Sequence, residues 1–106
     1  MDEKIKSLIN QVKTCLINIY GQSIKEVILY GSFVRGDATR DSDIDILVLV
    51  DESINPFEVR ESISDLLFDI LLEEGELASV IVIPEKLFES YNSPFMLNVK
   101  KEGIAI

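Results

Sequence analysis

The stretch GSFVRGDATRDSDIDILVLV, Gly31 to Val50, runs from a glycine-serine turn through a polar loop into two alternating carboxylates and a long apolar run. The apolar segment Val27-Ile28-Leu29-Tyr30 precedes it, and the ten residues from Phe33 to Ser42 separate Ser32 from Asp43. It reads as a strand, a phosphate-sized turn, and a second strand that opens on acids. Two aspartates at i and i+2 of a strand share a face, so Asp43 and Asp45 converge while Ile44 turns into packing. Their like charges call for a cation, and hard oxygen donors suit magnesium or manganese, which bind through one or two carboxylates together with substrate phosphates. Gly31 lets a backbone approach a phosphate, and Ser32 offers a hydroxyl and an amide at an expected helix start, where anions are favoured. Phosphate on one side and metal on the other describe a nucleoside triphosphate. Arg35 and Arg40 are the basic residues between the two strands. Arg35 suits either a phosphate or neighbouring Asp37 and Asp41, Arg40 reads as a solvated loop residue, and Tyr30 reads as a core or rim aromatic.

Around this stretch, Ile5, Leu8, Ile9, Val12, Leu16 and Ile19 recur at helical spacing and Gly21 follows, which predicts a helix over residues 3–20 with Cys15 in its packing. A strand is expected over 25–30 and the strongest one over 43–50, where the continuous Ile46 to Val50 suggests a central strand covered on both faces. Asn55 as a cap, Pro56 at the first helical position and Glu58 after it open one long helix that carries Phe57, Ile63, Leu66, Leu67, Ile70 and Leu71 to Gly75. Asp65 and Asp69 lie off that stripe and face water. LASVIVI, residues 77–83, predicts a third strand stopped by Pro84, followed by short helices over 86–91 and 94–101. The tail 103–106 either extends the sheet or stays loose. The order predicts an α/β fold, a small mixed sheet of three or four strands flanked by helices, in a single domain over residues 1–106.

Composition narrows the chemistry. One cysteine and no histidine exclude disulfide frameworks, imidazole or thiolate zinc sites and every triad that needs an imidazole. A net charge of -9 opposes the counterion release that drives attachment to nucleic acid, so no direct nucleic-acid partner is expected. No signal-like leader or membrane-length apolar run is present, which predicts a soluble cytoplasmic protein. A chain of 106 residues has little room for a second, ligand-covering domain, so its cleft is expected to be shallow or completed by a partner.

The combination Gly31-Ser32, ten residues, then Asp43-x-Asp45, with Arg35, Gly36 and Ser42 between, resembles the signature of the nucleotidyltransferase superfamily that includes DNA polymerase beta, and most closely its minimal nucleotidyltransferase branch. The order of elements agrees over essentially the whole chain. The resemblance implies that Asp43 and Asp45 are catalytic and hold divalent metal (magnesium or manganese), that Gly31, Ser32 and Arg35 bind the nucleotide, and that AMP passes from ATP to an acceptor with loss of pyrophosphate. It also implies a protein partner of the HEPN type, a toxin for which this chain would be the antitoxin, and leaves a homo-oligomer open. One departure stands out. Active members commonly carry a third carboxylate on the strand matching Leu77 to Ile83, where this chain has Ala78 and Ser79; the nearest acid is Glu76, which reads as a charged loop residue. A nucleotide- or partner-binding module with weak or absent turnover is therefore the alternative expectation.

Overall fold

The computed structural model describes residues 2–106. Helix α1 (Glu3–Tyr20) starts at Asp2, whose side chain accepts a hydrogen bond from the Lys4 amide at 2.7 Å. It buries Ile5, Leu8, Ile9, Val12 and Leu16 of the apolar stripe, while Ile19, expected in the same stripe, is exposed in the last turn. After a 3-10 turn at Gly21–Ser23, strand β1 (Ile24–Tyr30) leads into the one-turn helix α2 (Ser32–Arg35). Strand β2 (Ile44–Val50) then returns antiparallel to β1, with Val27 opposite Val48 and Tyr30 opposite Asp45.

The helix expected from Asn55 to Gly75 is two helices, α3 (Pro56–Ser62) and α4 (Ser64–Glu74). Asn55 caps α3 through the Phe57 amide at 2.8 Å, and Gly75 ends α4 in the left-handed conformation, as the sequence suggests. Between them Ile63 leaves helical geometry while its side chain is fully buried. Serines flank the break: the Ser62 hydroxyl donates to the Val59 carbonyl, and Arg60 donates to the Ser64 hydroxyl. Such local side-chain bonds compete with continuous helix, and apolar periodicity alone does not register them. Strand β3 (Ala78–Pro84) runs parallel to β2, one residue later than expected, and Pro84 is its last residue rather than its stop. An edge strand tolerates a residue without an N–H. Helices α5 (Glu85–Ser90) and α6 (Pro94–Glu102) follow, and the tail adds strand β4 (Ile104–Ala105) beside β1.

The sheet order is β3-β2-β1-β4. On one face Val27, Leu29, Ile44, Ile46, Val48 and Val50 pack beneath α1, α3 and α4. On the other, Ile28, Leu47 and Leu49 meet Phe88 of α5 and Val99 of α6. Strand β2 is thus buried on both sides, as its unbroken apolar run demands. No helix among the described residues is long and apolar enough to cross a membrane.

Candidate functional site

The β1–β2 ladder ends at the pair Tyr30–Asp45, so the chain turns at Gly31 directly against the Asp45 side chain. Gly31 takes φ 84°, ψ -155°, and a Cβ built there would collide with the Asp45 carboxylate. Both the backbone angle and the space therefore call for glycine at this position. Ser32 follows as the first residue of α2, a single turn closed by bonds from the Val34 and Arg35 amides to the Gly31 carbonyl, both 3.1 Å. A helix of four residues sums too few peptide dipoles to act as a charge, so the expected dipole contribution is small and an anion at this turn would have to be held by individual amides and the Ser32 hydroxyl. Gly36, left-handed at φ 83°, ends the turn and releases the chain into the loop.

The loop delivers the acids. The Thr39 amide donates to the Ser42 hydroxyl at 2.8 Å and the Ser42 amide to the Thr39 carbonyl at 3.1 Å, a local closure that sets where Asp43 emerges. Asp43 is exposed one residue before β2, and the strand expected from residue 43 begins at Ile44, whose amide donates to the Leu77 carbonyl at 2.8 Å. Asp45 is partly buried. Burial raises its pKa, the neighbouring Asp43 charge raises it further, Arg35 opposes, and Glu102 adds to the rise. Tyr30 responds to the same surroundings: burial, and then the Asp45 charge, push its hydroxyl up to about 12. Its ring meets Phe95 of α6 edge-on at 5.5 Å, the rim packing that the sequence suggests.

A partly buried carboxylate made costly by a second one is a place where a cation lowers the energy, and the donor chemistry fits a hard divalent ion. Among the described residues no three of His, Cys, Asp and Glu converge on one point. A magnesium ion held by Asp43 and Asp45 would therefore complete its shell with water and phosphate oxygens, which is its usual habit.

Strand register decides between Ala78 and Ser79. Asp45 lies opposite Ser79 and Ile44 opposite Ala78, so Ser79 shares the Asp45 face while Ala78 is buried on the other. Glu76 is engaged elsewhere, with its carboxylate 3.7 Å from the Lys4 ammonium of α1. Arg40 remains on the exposed loop. Arg35 does point back toward the turn, but it is paired: Nε reaches Asp37 at 3.3 Å and a terminal nitrogen reaches Glu102 at 3.2 Å.

Glu102 is the residue that sequence reasoning missed. It also accepts the Gly31 amide at 3.1 Å, across 71 residues of chain. Nothing local marks it, because its placement depends on α6 running back across the sheet and on β4 pairing with β1. The one available hint was that the tail could extend the sheet.

Comparison with known proteins identifies the family and the fold. The nucleotidyltransferase domain model matches residues 9–102. A protein of Methanocaldococcus jannaschii, named provisionally as a protein adenylyltransferase, is 37% identical over 103 residues, spanning 96% of this chain and 93% of its own length. The protein adenylyltransferase MntA of Thermococcus cleftensis is 42% identical over 50 residues, 47% of this chain and 48% of its own. Among solved structures, one from Sulfolobus solfataricus, named provisionally as a nucleotidyltransferase, superposes with TM-score 0.65 at 21% identity, covering 96% of this chain and 78% of that one. A toxin-antitoxin structure with AMP-PNP superposes with TM-score 0.58 at 18% identity, covering 90% and 69%. At such identities the structural matches speak for the fold.

Proposed function

The chain belongs to the nucleotidyltransferase domain family, and from that membership we propose that it binds magnesium-ATP between the Gly31-Ser32 turn and the Asp43-Asp45 pair and transfers AMP to a hydroxyl of a protein partner. The observation that carries the reading is the contact at the end of the β1–β2 ladder, where a glycine turn free of side-chain bulk lies against a carboxylate destabilised by burial and by its neighbour Asp43. Phosphate recognition and metal recognition then belong to one small surface. In the transfer, the acceptor oxygen bonds to the α-phosphorus, the bond from that phosphorus to pyrophosphate breaks, and the hydroxyl proton leaves to a base or to water. The cation supplies charge neutralisation on the transferring phosphate. Ser32 and the turn amides hold the phosphates, Arg35 adds a guanidinium once freed from its acidic partners, and Asp43 and Asp45 anchor the metal.

The near full-length relative named for protein adenylylation supports a protein acceptor, and the toxin-antitoxin neighbour supports reading that acceptor as a toxin and this chain as its antitoxin; that the toxin is of the HEPN type and the pair cytoplasmic is part of the same proposal, carried by the sequence resemblance. The test is incubation with ATP labelled at the α-phosphate, manganese and the product of the adjacent gene. Label on that protein together with released pyrophosphate is expected; label arriving from the γ-phosphate instead would overturn the proposal. A second reading has its own observation. Ser79, the β3 residue facing Asp45, is not an acid, which favours a nucleotide-binding module whose transfer is slow for want of a base at that position.

A further inference from the structure

Glu102 sits on two of the groups that the nucleotide reading gives to phosphate. Its Oε1 accepts the Gly31 amide at 3.1 Å and an Arg35 N–H at 3.2 Å, and its Oε2 is 3.4 Å from the same Arg35 nitrogen. The carboxylate is delivered by the fold. Glu102 is the last residue of α6, and the next residue, Gly103, donates its amide to the Val99 carbonyl at 2.7 Å before β4 pairs with β1. A Cβ at Gly103 would press on both Val99 and Ile28, so the helix end lies tightly on the sheet. The Glu102 side chain is 24% exposed.

A carboxylate and a phosphate oxygen are both anionic acceptors, and one backbone N–H does not serve both well. We propose that Glu102 is an internal competitor for the triphosphate, holding the Gly31 amide and Arg35 in the nucleotide-free chain and leaving them when nucleotide arrives. The proposal rests on the nucleotide reading of the Gly31-Ser32 turn. A role as the missing third metal ligand fits less well, since no three acids converge among the described residues and both Glu102 oxygens lie within reach of Arg35. A purely structural ion pair would not need the Gly31 amide. The arrangement makes the α6–β4 corner sensitive to occupancy of the site, because the residue that must move is the junction between the two elements.

Calorimetric titration with manganese and either ATP or inorganic tripolyphosphate tests this on the full chain and on Glu102→Gln, Glu102→Asp and Arg35→Gln/Glu102→Gln, each checked for an unchanged thermal transition. Glu102→Gln removes the charge but can keep a hydrogen bond to Gly31; Glu102→Asp keeps the charge but is too short to reach. Both are expected to bind tripolyphosphate roughly threefold to tenfold more tightly than the unmodified chain, the range of a partly exposed ion pair, and the gain from Glu102→Gln should shrink in the Arg35→Gln background. Binding that is unchanged or weaker in Glu102→Gln overturns the proposal while leaving the nucleotide reading intact. If Glu102→Asp behaves as the unmodified chain while Glu102→Gln tightens, the effect is net charge rather than contact, and the proposal also falls. Absence of ATP and tripolyphosphate binding in all four proteins would remove the nucleotide reading itself.

Discussion

The two faces of the sheet differ in what covers them and in what they leave open. Beneath α1, α3 and α4, side chains from three strands are sealed: Val27, Leu29, Ile44, Ile46, Val48 and Ala78 are each less than a tenth exposed. Beneath the short helices α5 and α6 only Ile28, Leu47 and Leu49 of the sheet are sealed, Ile81 is 39% exposed, and the end of the face carries Asp45 and Ser79 beside the half-buried Tyr30. One strand serves both, because alternate residues of β2 go to opposite sides. Stability is concentrated on the side where three helices close, and polar groups can gather at the uncovered end of the other without a buried, unpaired charge. A domain this small keeps room for a carboxylate pair by leaving part of one sheet face unfinished.

Substitutions that confuse the two faces should give the largest effects. Ala78→Asp places a charge on the sealed side and is expected to cost about 3–5 kcal/mol or prevent folding, whereas Ser79→Asp, one residue away, should leave the thermal transition within a few degrees. Thermal denaturation of the pair checks it, and equal losses would break the register argument. Ser79→Asp should also raise AMP transfer, by at least roughly tenfold if a base at that position is what is lacking. Next, Ile46→Ala on the sealed face should cost about 2–5 kcal/mol and Ile81→Ala on the open face less than about 1 kcal/mol, measured by urea denaturation. Gly31→Val forces a side chain into a left-handed backbone and against Asp45, for about 1–3 kcal/mol in stability and a greater loss of ATP affinity than Ser32→Ala, which removes one hydrogen bond worth about 0.5–1.5 kcal/mol.

The smallest effect has an informative sign. Because the folded-state pKa of Asp45 is raised, its ionised form opposes folding: the contribution of this group to stability falls as pH climbs from the unfolded value, about 3.9, through the raised folded one. Asp45→Asn should therefore stabilise the metal-free chain near neutral pH, by less than about 1 kcal/mol given how much of the site is open to solvent, and the gain should vanish below about pH 3.9. Melting temperatures across that pH range decide it. A loss of stability at neutral pH would mean that Asp45 holds the turn rather than merely tolerating its position.

Much of this arrangement is legible in the sequence because its causes are local. The spacing of Ile5 to Leu16, the Asn55-Pro56 start, Gly75 after α4 and the apolar run of β2 each dictate an element through backbone preference or alternation, and Gly31-Ser32 with Asp43-x-Asp45 lie close enough in the chain to be read as one unit. What the sequence did not yield has one local cause and otherwise depends on pairing between distant segments. The break at Ile63 turns on serine side chains bonding locally against an otherwise good helical pattern. Only the β2–β3 register separates Ser79 from Ala78. Glu102 reaches Gly31 through the fold of the last helix, and the engagement of Arg35 with Glu102 follows from it.

The most direct test is calorimetric titration of ATP in the presence of manganese, comparing the unmodified chain with Asp43→Asn/Asp45→Asn. The double substitution removes both metal-seeking carboxylates and relieves their repulsion, so the domain should stay folded, with a thermal transition unchanged or slightly higher, and lose its metal-dependent ATP affinity. Metal-dependent binding of equal strength in the two proteins would contradict the assignment of Asp43 and Asp45.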